Sequence, residues 1–539
     1  MFRFYSNSFS SEMNRGTDTI ELGWIVTCAF IAVTLASLPY LWGLLITPSG
    51  YVFLGLTHNI DDGAVYLSWI QQIANGKLTY INLFTNEPVV ANQFNVLFLL
   101  MGLVARFTHI PTVWVYHIFR VLLGIAAILS VWVFSKLFLT SPSARRLLIL
   151  FLCFSSGVGW LFLDYGAPTG PVDNWQPEAI TFLSLYLNPL FLCGLILMVF
   201  ALYFLLLAQR TGCLRYSFFA GLCLLVLGNV HTYDVLTIGA VWIVYLIVLC
   251  VIERRFCFRT IMLSGLAALI ALPSIAYQFH LYQIDEVFRA RANSPAPSPP
   301  IWSYFAGYGL VLALAVFGGA VSVRLRESRN ALILTWAIVG FAVPYLPIAQ
   351  QRKLIMGLHI PLCLLCVYAL TRGMERLPQF ASWAITGIVL LFSVNSNFAF
   401  LTRDIVLLGR GQTVTHYVPY ITTDEIAAMR WLKLNGSWQD TVFASPTFAL
   451  FTPALSGHRV YYGHWSETPD YASKLREWFI FVDETTSERL RLAILKKTKA
   501  RYYVSEPFAN LEPQGCLSHI VCPVFKRDGV IVYELKFAK

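Results

Sequence analysis

The stretch THNIDDGAVYLSWIQQIANG (57–76) sets two carboxylates, Asp61 and Asp62, side by side shortly after the first long apolar run. An acidic pair beside a bilayer suits one of three tasks: taking a proton from an attacking hydroxyl, holding a cation, or gripping a sugar. Local structure offers a plainer use, because Asp is among the best helix N-caps and complements the helix dipole. A cap needs one acid, however, and the sequence supplies two. A second polar cluster is QQRK (350–353). Its Arg352 can grip a phosphate through two parallel hydrogen bonds, and Lys353 adds a point charge. Snorkelling at a membrane boundary also accounts for such residues, but positive-inside bias disfavours two cations on an outer face. The third cluster is HTYD (231–234), wedged between apolar segments. Its His231 and Asp234, at i and i+3, can share a proton, ligate a divalent cation or hold a substrate, or form no more than a capped turn. Glu178, in NWQPEAITF, stands where a helix should start, and the dipole alone explains an acid there. Asp164 and Asp173 are weaker candidates. His464 and Glu467, in GHWSETPD, read as part of a helix cap.

The elements that must position these residues are membrane helices. Of 539 residues, 57% are hydrophobic and 13% charged, and apolar runs of about 18 residues or more recur along the chain. That excludes a soluble globular protein. The net charge of +10 is read through the positive-inside rule, and no nucleic-acid motif is present. The first apolar run is too long for a signal-peptide core and lacks a small-residue cleavage site, so it reads as an uncleaved signal anchor. Most of the eleven cysteines fall in or beside apolar runs. Cys516 and Cys522 lie in a polar region, where a disulfide and two free thiols are both open.

About eleven spans are predicted, over 23–46, 112–138, 146–164, 182–207, 217–231, 235–252, 261–280, 301–323, 330–348, 354–371 and 380–400. Basic clusters at Arg145–Arg146, Arg210/Arg215, Arg254–Arg255 with Arg259, Arg324/Arg326/Arg329 and Arg372/Arg376 then fall on one side, the cytoplasm. The apolar segment 94–108 is short and reads as re-entrant or lying at the outer surface. Parity puts residues 1–22 inside. It collects the loops 47–111, 165–179, 231–234 and 292–300, with QQRK, on the outside. Behind the acidic pair, Val65, Trp69, Ile70 and Ile73 recur at helical spacing and Gly76 stops the run. This predicts an amphipathic helix on the outer membrane surface with Trp69 at the headgroups. The membrane domain is expected to run over 23–403 and a linker over 404–415. An extracytoplasmic α/β domain is expected over 416–539, large enough to bury its own core. In that domain Thr422 or Thr423 should cap a helix that Gly436 ends. Strands are expected at 441–445, 501–505 and 530–535, with helices near 446–455, 469–480 and 485–497 between them.

The order D-D-x-x-x-Y…G in Asp61, Asp62, Tyr66 and Gly76 resembles the D-E-x-x-x-Y…G pattern of the GT-C superfamily of integral membrane glycosyltransferases. That superfamily includes protein O-mannosyltransferases, lipid A aminoarabinose transferases and oligosaccharyltransferase catalytic subunits. Asp62 stands where Glu is commoner. HTYDVL and the run Gln351, Arg352, Lys353, Gly357 resemble features of bacterial members with a small external α/β domain. The resemblance implies a multi-pass plasma-membrane enzyme. It would move a sugar from a polyprenyl-phosphate-linked donor to a protein, lipid or glycan acceptor on the extracytoplasmic side. Asp61 matches the catalytic acid and would act as general base in a single inverting displacement. The phosphate leaving group needs cations rather than a general acid, which gives Arg352 and Lys353 their role. Glu178 would position the acceptor or a metal. The resemblance demands no cofactor and leaves a divalent cation open. A transporter or flippase of lipid-linked saccharides and a non-catalytic envelope assembly protein are the competing readings; no internal repeat supports the first. The enzyme reading requires Asp61, Arg352 and His231 to line one outward-opening cavity.

Overall fold

The computed structural model describes residues 13–164, 166–375, 377–415, 417–506, 517 and 520–537. Cys516 and Arg376 lie outside the described residues, so neither the state of the Cys516 thiol nor the last basic residue of its cluster is described.

Apolar run length and helical geometry make this an integral membrane protein. Among the described residues nine helices are long and apolar enough to cross a bilayer, from Thr19–Leu45 to Gln379–Gly409. The difference from eleven has local causes. Leu214–Val230 is apolar but stops at 17 residues, before His231. Ala331–Ala342 is 12 residues long and passes into a 3-10 turn around Pro344, because proline removes a backbone donor. The stretch predicted as one span over 182–207 is two helices, Thr181–Leu187 and Pro189–Thr211, with Asn188 capping the second. The first helix begins at Met13, ahead of the predicted start. Residues 404–409 are not linker: the helix Asn395–Gly409 runs through them and buries Asp404.

The apolar segment near 94–108 forms the helix Val96–Thr108, opened by Asn95 accepting from the amides of Leu97 and Phe98. At 13 residues it reaches only about 20 Å, too short to cross. It lies instead against the helix Ile60–Ala74. The close approach is made at Gly102, where a Cβ would meet Ile73 at 2.5 Å.

Beyond the membrane helices stands a five-stranded sheet. Thr441–Phe443 pairs in parallel with Arg459–Val460 on one side and Tyr502–Ser505 on the other. Tyr502–Ser505 pairs antiparallel with Val530–Leu535, which pairs antiparallel with Val521–Arg527. Strand alternation sends side chains to two faces. Phe443, Tyr503 and Tyr533 pack under the helices Tyr471–Val482 and Glu488–Thr498. Val442, Val504 and Val532 face the other way, and their core is continuous with Ile60, Val65 and Ile70 of the first loop. A two-stranded pairing of Tyr51–Phe53 with Tyr420–Thr422 adds a second tie. The α/β domain is thus built onto the loop that carries the acidic pair. Of the two caps the sequence offers, Thr422 is the one that opens the helix Thr423–Asn435; it forms a capping box with Glu425, and Gly436 closes the helix.

Candidate active site

The helix Ile60–Ala74 starts one residue before the acidic pair. Its N-cap is Asn59, which makes no capping bond, so neither Asp61 nor Asp62 is a cap; both sit in the first turn. The helix does not lie on the bilayer either. Eleven of its 15 residues are buried between Val96–Thr108 and the helix Pro446–Leu455 of the α/β domain. Trp69 is 7% exposed and stacks on Tyr80 at 4.7 Å between ring centres. The apolar stripe that suggested a headgroup position is covered by protein instead.

The two acids have different surroundings. Asp62 accepts a hydrogen bond from Nδ2 of Asn59 at 2.7 Å on Oδ2, and its Oδ1 stands 3.2 Å from Nε2 of His464. Asp61 lies 3.8 Å from the same nitrogen through Oδ2, while its Oδ1 has no partner. Burial pushes both carboxyls up. For Asp61 the charge of Asp62 pushes in the same direction, and the acid rises above the ordinary carboxylate range. For Asp62 burial is outweighed by the His464 contact, by the charge of Lys353 and by the Asn59 amide, which hold it well below that range. Two adjacent acids pushed apart in this way divide into a fixed anion and a proton acceptor.

Two cavities meet at this pair. One, of about 740 Å³, is lined by Asp61, Asp62, Glu178, His231, Arg352 and Lys353. The other, of about 540 Å³, sets Tyr66, Trp69, Phe98 and Phe279 on one part of its wall and polar residues that include Asp62, Arg291, Lys353 and Glu467 on another. Asp62, Tyr66, His231, Lys353, Trp465 and Ser466 belong to both walls, whereas Asp61 faces only the first. Loops far apart in sequence close the floor. Gln176 donates to the carbonyl of Arg352, whose amide donates to Ala296, and Asn95 donates to Asn229.

Solved structures share this arrangement of elements. ArnT from Cupriavidus metallidurans in the apo state superposes with a TM-score of 0.53 at 14% identity, over 95% of this chain and 98% of that one. The apo oligosaccharyltransferase of Archaeoglobus fulgidus gives 0.55 at 12% identity, over 90% of this chain and 69% of that one. Arabinofuranosyltransferase AftD from Mycobacteria gives 0.51 at 15% identity, with the chain spanning 40% of its length. The chain has the GT-C fold. No protein-family model and no curated protein matches its sequence.

Within the GT-C framework, six of the seven residues given a role from the sequence line the larger cavity, and the weaker candidates Asp164 and Asp173 do not. Nor does the seventh, Asp234. It is fully buried behind His231, with its carboxylate against Gly194, where a Cβ would lie 2.8 Å from Oδ2. Nδ1 of His231 and Oδ2 of Asp234 are 3.0 Å apart but out of line for a hydrogen bond. Asp234 therefore backs His231 and faces no substrate space. Glu178 sits in the turn before the helix Thr181–Leu187 rather than at its start. Among the described residues Arg352 and Lys353 form no ion pair; each lies near an aromatic ring instead, Trp175 at 5.5 Å and Tyr233 at 5.0 Å. One Asp62 oxygen accepts from Asn59 and the other faces His464 at 3.2 Å, and among the described residues no group of three His, Cys, Asp or Glu side chains is spaced for a metal.

The site also holds residues that the sequence did not assign to it. His464 reaches the carboxylate pair, and Glu467 pairs with Arg291 at 3.3 Å, so neither serves as a helix cap; the helix Tyr471–Val482 starts after Asp470. Arg403 enters the larger cavity, held by Asp404 at 3.0 Å, by His58 at 3.2 Å and by the carbonyl of Asn174 at 2.9 Å. The available signal was two titratable residues beside a tryptophan in a loop, a setting common to binding residues.

Proposed function

We propose that this protein is a membrane glycosyltransferase. It transfers a sugar from a polyprenyl-phosphate-linked donor to a protein, lipid or glycan acceptor on the extracytoplasmic side, inverting the anomeric centre, with Asp61 as general base. The observation that carries this reading is the single cavity that Asp61, His231 and the unpaired cations Arg352 and Lys353 line together. It is supported by the fold shared with ArnT, seen bound to undecaprenyl phosphate, and with archaeal AglB, seen with dolichol-phosphate and an inhibitory peptide.

The two cavities divide the substrates. A base must meet the acceptor hydroxyl, and Asp61 faces only the larger, polar cavity. The acceptor belongs there, with Glu178 and His231 available to its hydroxyls. The aromatic cavity suits the isoprenoid carrier, and exposed Ile275 and Phe279 at its rim suit entry from the lipid. Lys353, common to both walls, and Arg352 beside it meet the donor phosphate. In the reaction the acceptor oxygen bonds to the anomeric carbon as its proton passes to Asp61. The carbon–phosphate-oxygen bond breaks, and its electron pair leaves on the polyprenyl phosphate, whose charge the two cations hold. A transporter draws less support, because both cavities and the unpaired cations lie at one end of the membrane domain.

The test is transfer from a panel of polyprenyl-phosphate sugars by the full chain in reconstituted vesicles, with product configuration read by NMR. An inverted product is expected. A retained configuration would overturn the single displacement, and lipid crossing the bilayer without transfer would hand the function to a flippase.

A further inference from the structure

The loop 463–468 belongs to the α/β domain, yet it delivers His464 to the carboxylate pair in the first loop. It is tied down from both sides. The amides of Gly463 and His464 donate to Oγ1 of Thr468, whose own amide returns to the carbonyl of His464 at 3.0 Å. Thr468 Oγ1 donates to the carbonyl of Phe84, and Asn82 donates to that of Glu467 at 2.8 Å. Arg291 holds the Glu467 carboxylate. The imidazole is 1% exposed and has little freedom to turn.

The ring's proton can be assigned from its partners. The backbone amides of Ser466 and Glu467 both point at Nδ1, at 3.2 and 3.3 Å. Two donors require a lone pair there, so the proton sits on Nε2. Nε2 faces Asp62 at 3.2 Å and Asp61 at 3.8 Å and is aligned with neither, so its N–H lies astride the pair. The other charged and titratable groups around the pair include Glu467, offset by Arg291, together with Lys353, Tyr66 and Tyr116 near Asp62 and Tyr417 and Tyr471 near Asp61.

We propose that His464 is a positioning residue through which the α/β domain completes the active site: its Nε2–H clamps Asp62 in place and leaves Asp61 as the base. This rests on the reading of Asp61 as base given above. The external domain then takes part in the chemistry, because its loop delivers His464 to the pair.

The test uses the full chain in vesicles, with His464→Ala, His464→Gln and Asp61→Asn compared for kcat and for donor KM. Removing this close contact between a ring N–H and a buried carboxylate is expected to lower kcat about ten- to a hundredfold in His464→Ala, with donor KM little changed. Gln carries an amide N–H close to the position of Nε2, and His464→Gln is expected to recover most of that loss. Full activity in His464→Ala overturns the proposal. So does an equal loss in both His464 variants, since packing alone would give it. If His464→Ala fails to fold, the recovery in His464→Gln carries the test: activity near wild type supports the clamp, and a hundredfold loss in a folded His464→Gln overturns it. Asp61→Asn separates the two readings. Its transfer is lost if only the His464 inference fails and is retained if the base assignment itself fails.

Discussion

The membrane span Gln351–Gly373 joins two basic regions that have been treated in opposite ways. At one end Arg352 and Lys353 stand in the cavity without an acidic contact among the described residues. At the other end Arg372 meets Glu375 at 2.7 Å and Glu327 at 3.8 Å, and Arg329 pairs with the same Glu327. Arg145, on the neighbouring helix Pro142–Phe154, is fully answered. Both of its forks bind Glu21, at 2.7 and 2.6 Å, and it also donates to the carbonyls of Leu139 and Thr140. A cation whose counter-charge is supplied by the fold serves the fold. On the proposed reading Arg352 and Lys353, which face a cavity without a counter-charge, are arranged for an anion that arrives.

Breaking this contrast gives an ordered set of expectations. The largest effect is on stability, at the paired end. Arg145→Gln leaves buried Glu21 uncompensated and should cost about 3–5 kcal/mol, read by thermal unfolding in detergent, while turnover per folded molecule is unchanged. Next come the unpaired cations. Arg352→Gln and Lys353→Gln should each lower kcat/KM for a polyprenyl-phosphate sugar by about ten- to a hundredfold, with unfolding temperature unmoved. A loss of stability instead would place them with Arg145. Asp62→Asn sharpens the contrast within the acidic pair. The base works ionised, so transfer should fall as pH drops through the titration of Asp61, whose carboxyl is raised by burial and then by the charge of Asp62. Deleting that charge leaves only burial, and the acid limb of kcat should move to lower pH. The smallest effect belongs to Arg372→Gln. Its side chain is 48% exposed, and exposed pairs are worth about 0–1 kcal/mol, so both activity and unfolding should stay near wild type.

How much of this was legible depends on the range of the interactions. A cap at Thr422 or Thr423 and the stop at Gly436 are local and can be read directly, although the choice of Thr422, fixed by its capping box with Glu425, comes from the structure. Parity of apolar runs gathered Glu178, His231, Arg352 and Lys353 at one end, because each span reverses the chain. The strand Val521–Arg527 is not legible in the sequence, because Pro523 and its closing Lys526–Arg527 do not read as a strand; it is an edge strand, where both are tolerated. Trp69 was misplaced because an apolar stripe does not say whether lipid or protein will cover it. Asp234 followed its neighbour His231 into the site on sequence, yet the turn between two helices points one at the cavity and the other at Gly194. The His464–Asp62 contact was out of reach altogether. It depends on the α/β domain folding onto the first loop, and nothing near either residue encodes that.

The central claim is that Asp61 takes a proton from an acceptor while Arg352 and Lys353 hold a departing phosphate. The most direct measurement is sugar transfer in reconstituted vesicles by the wild-type protein and by Asp61→Asn, which keeps the side chain's shape and removes the base. The account predicts transfer by the wild type and a loss of about 10²- to 10⁴-fold in the variant, with the fold intact by thermal unfolding. Equal transfer by both proteins would contradict it.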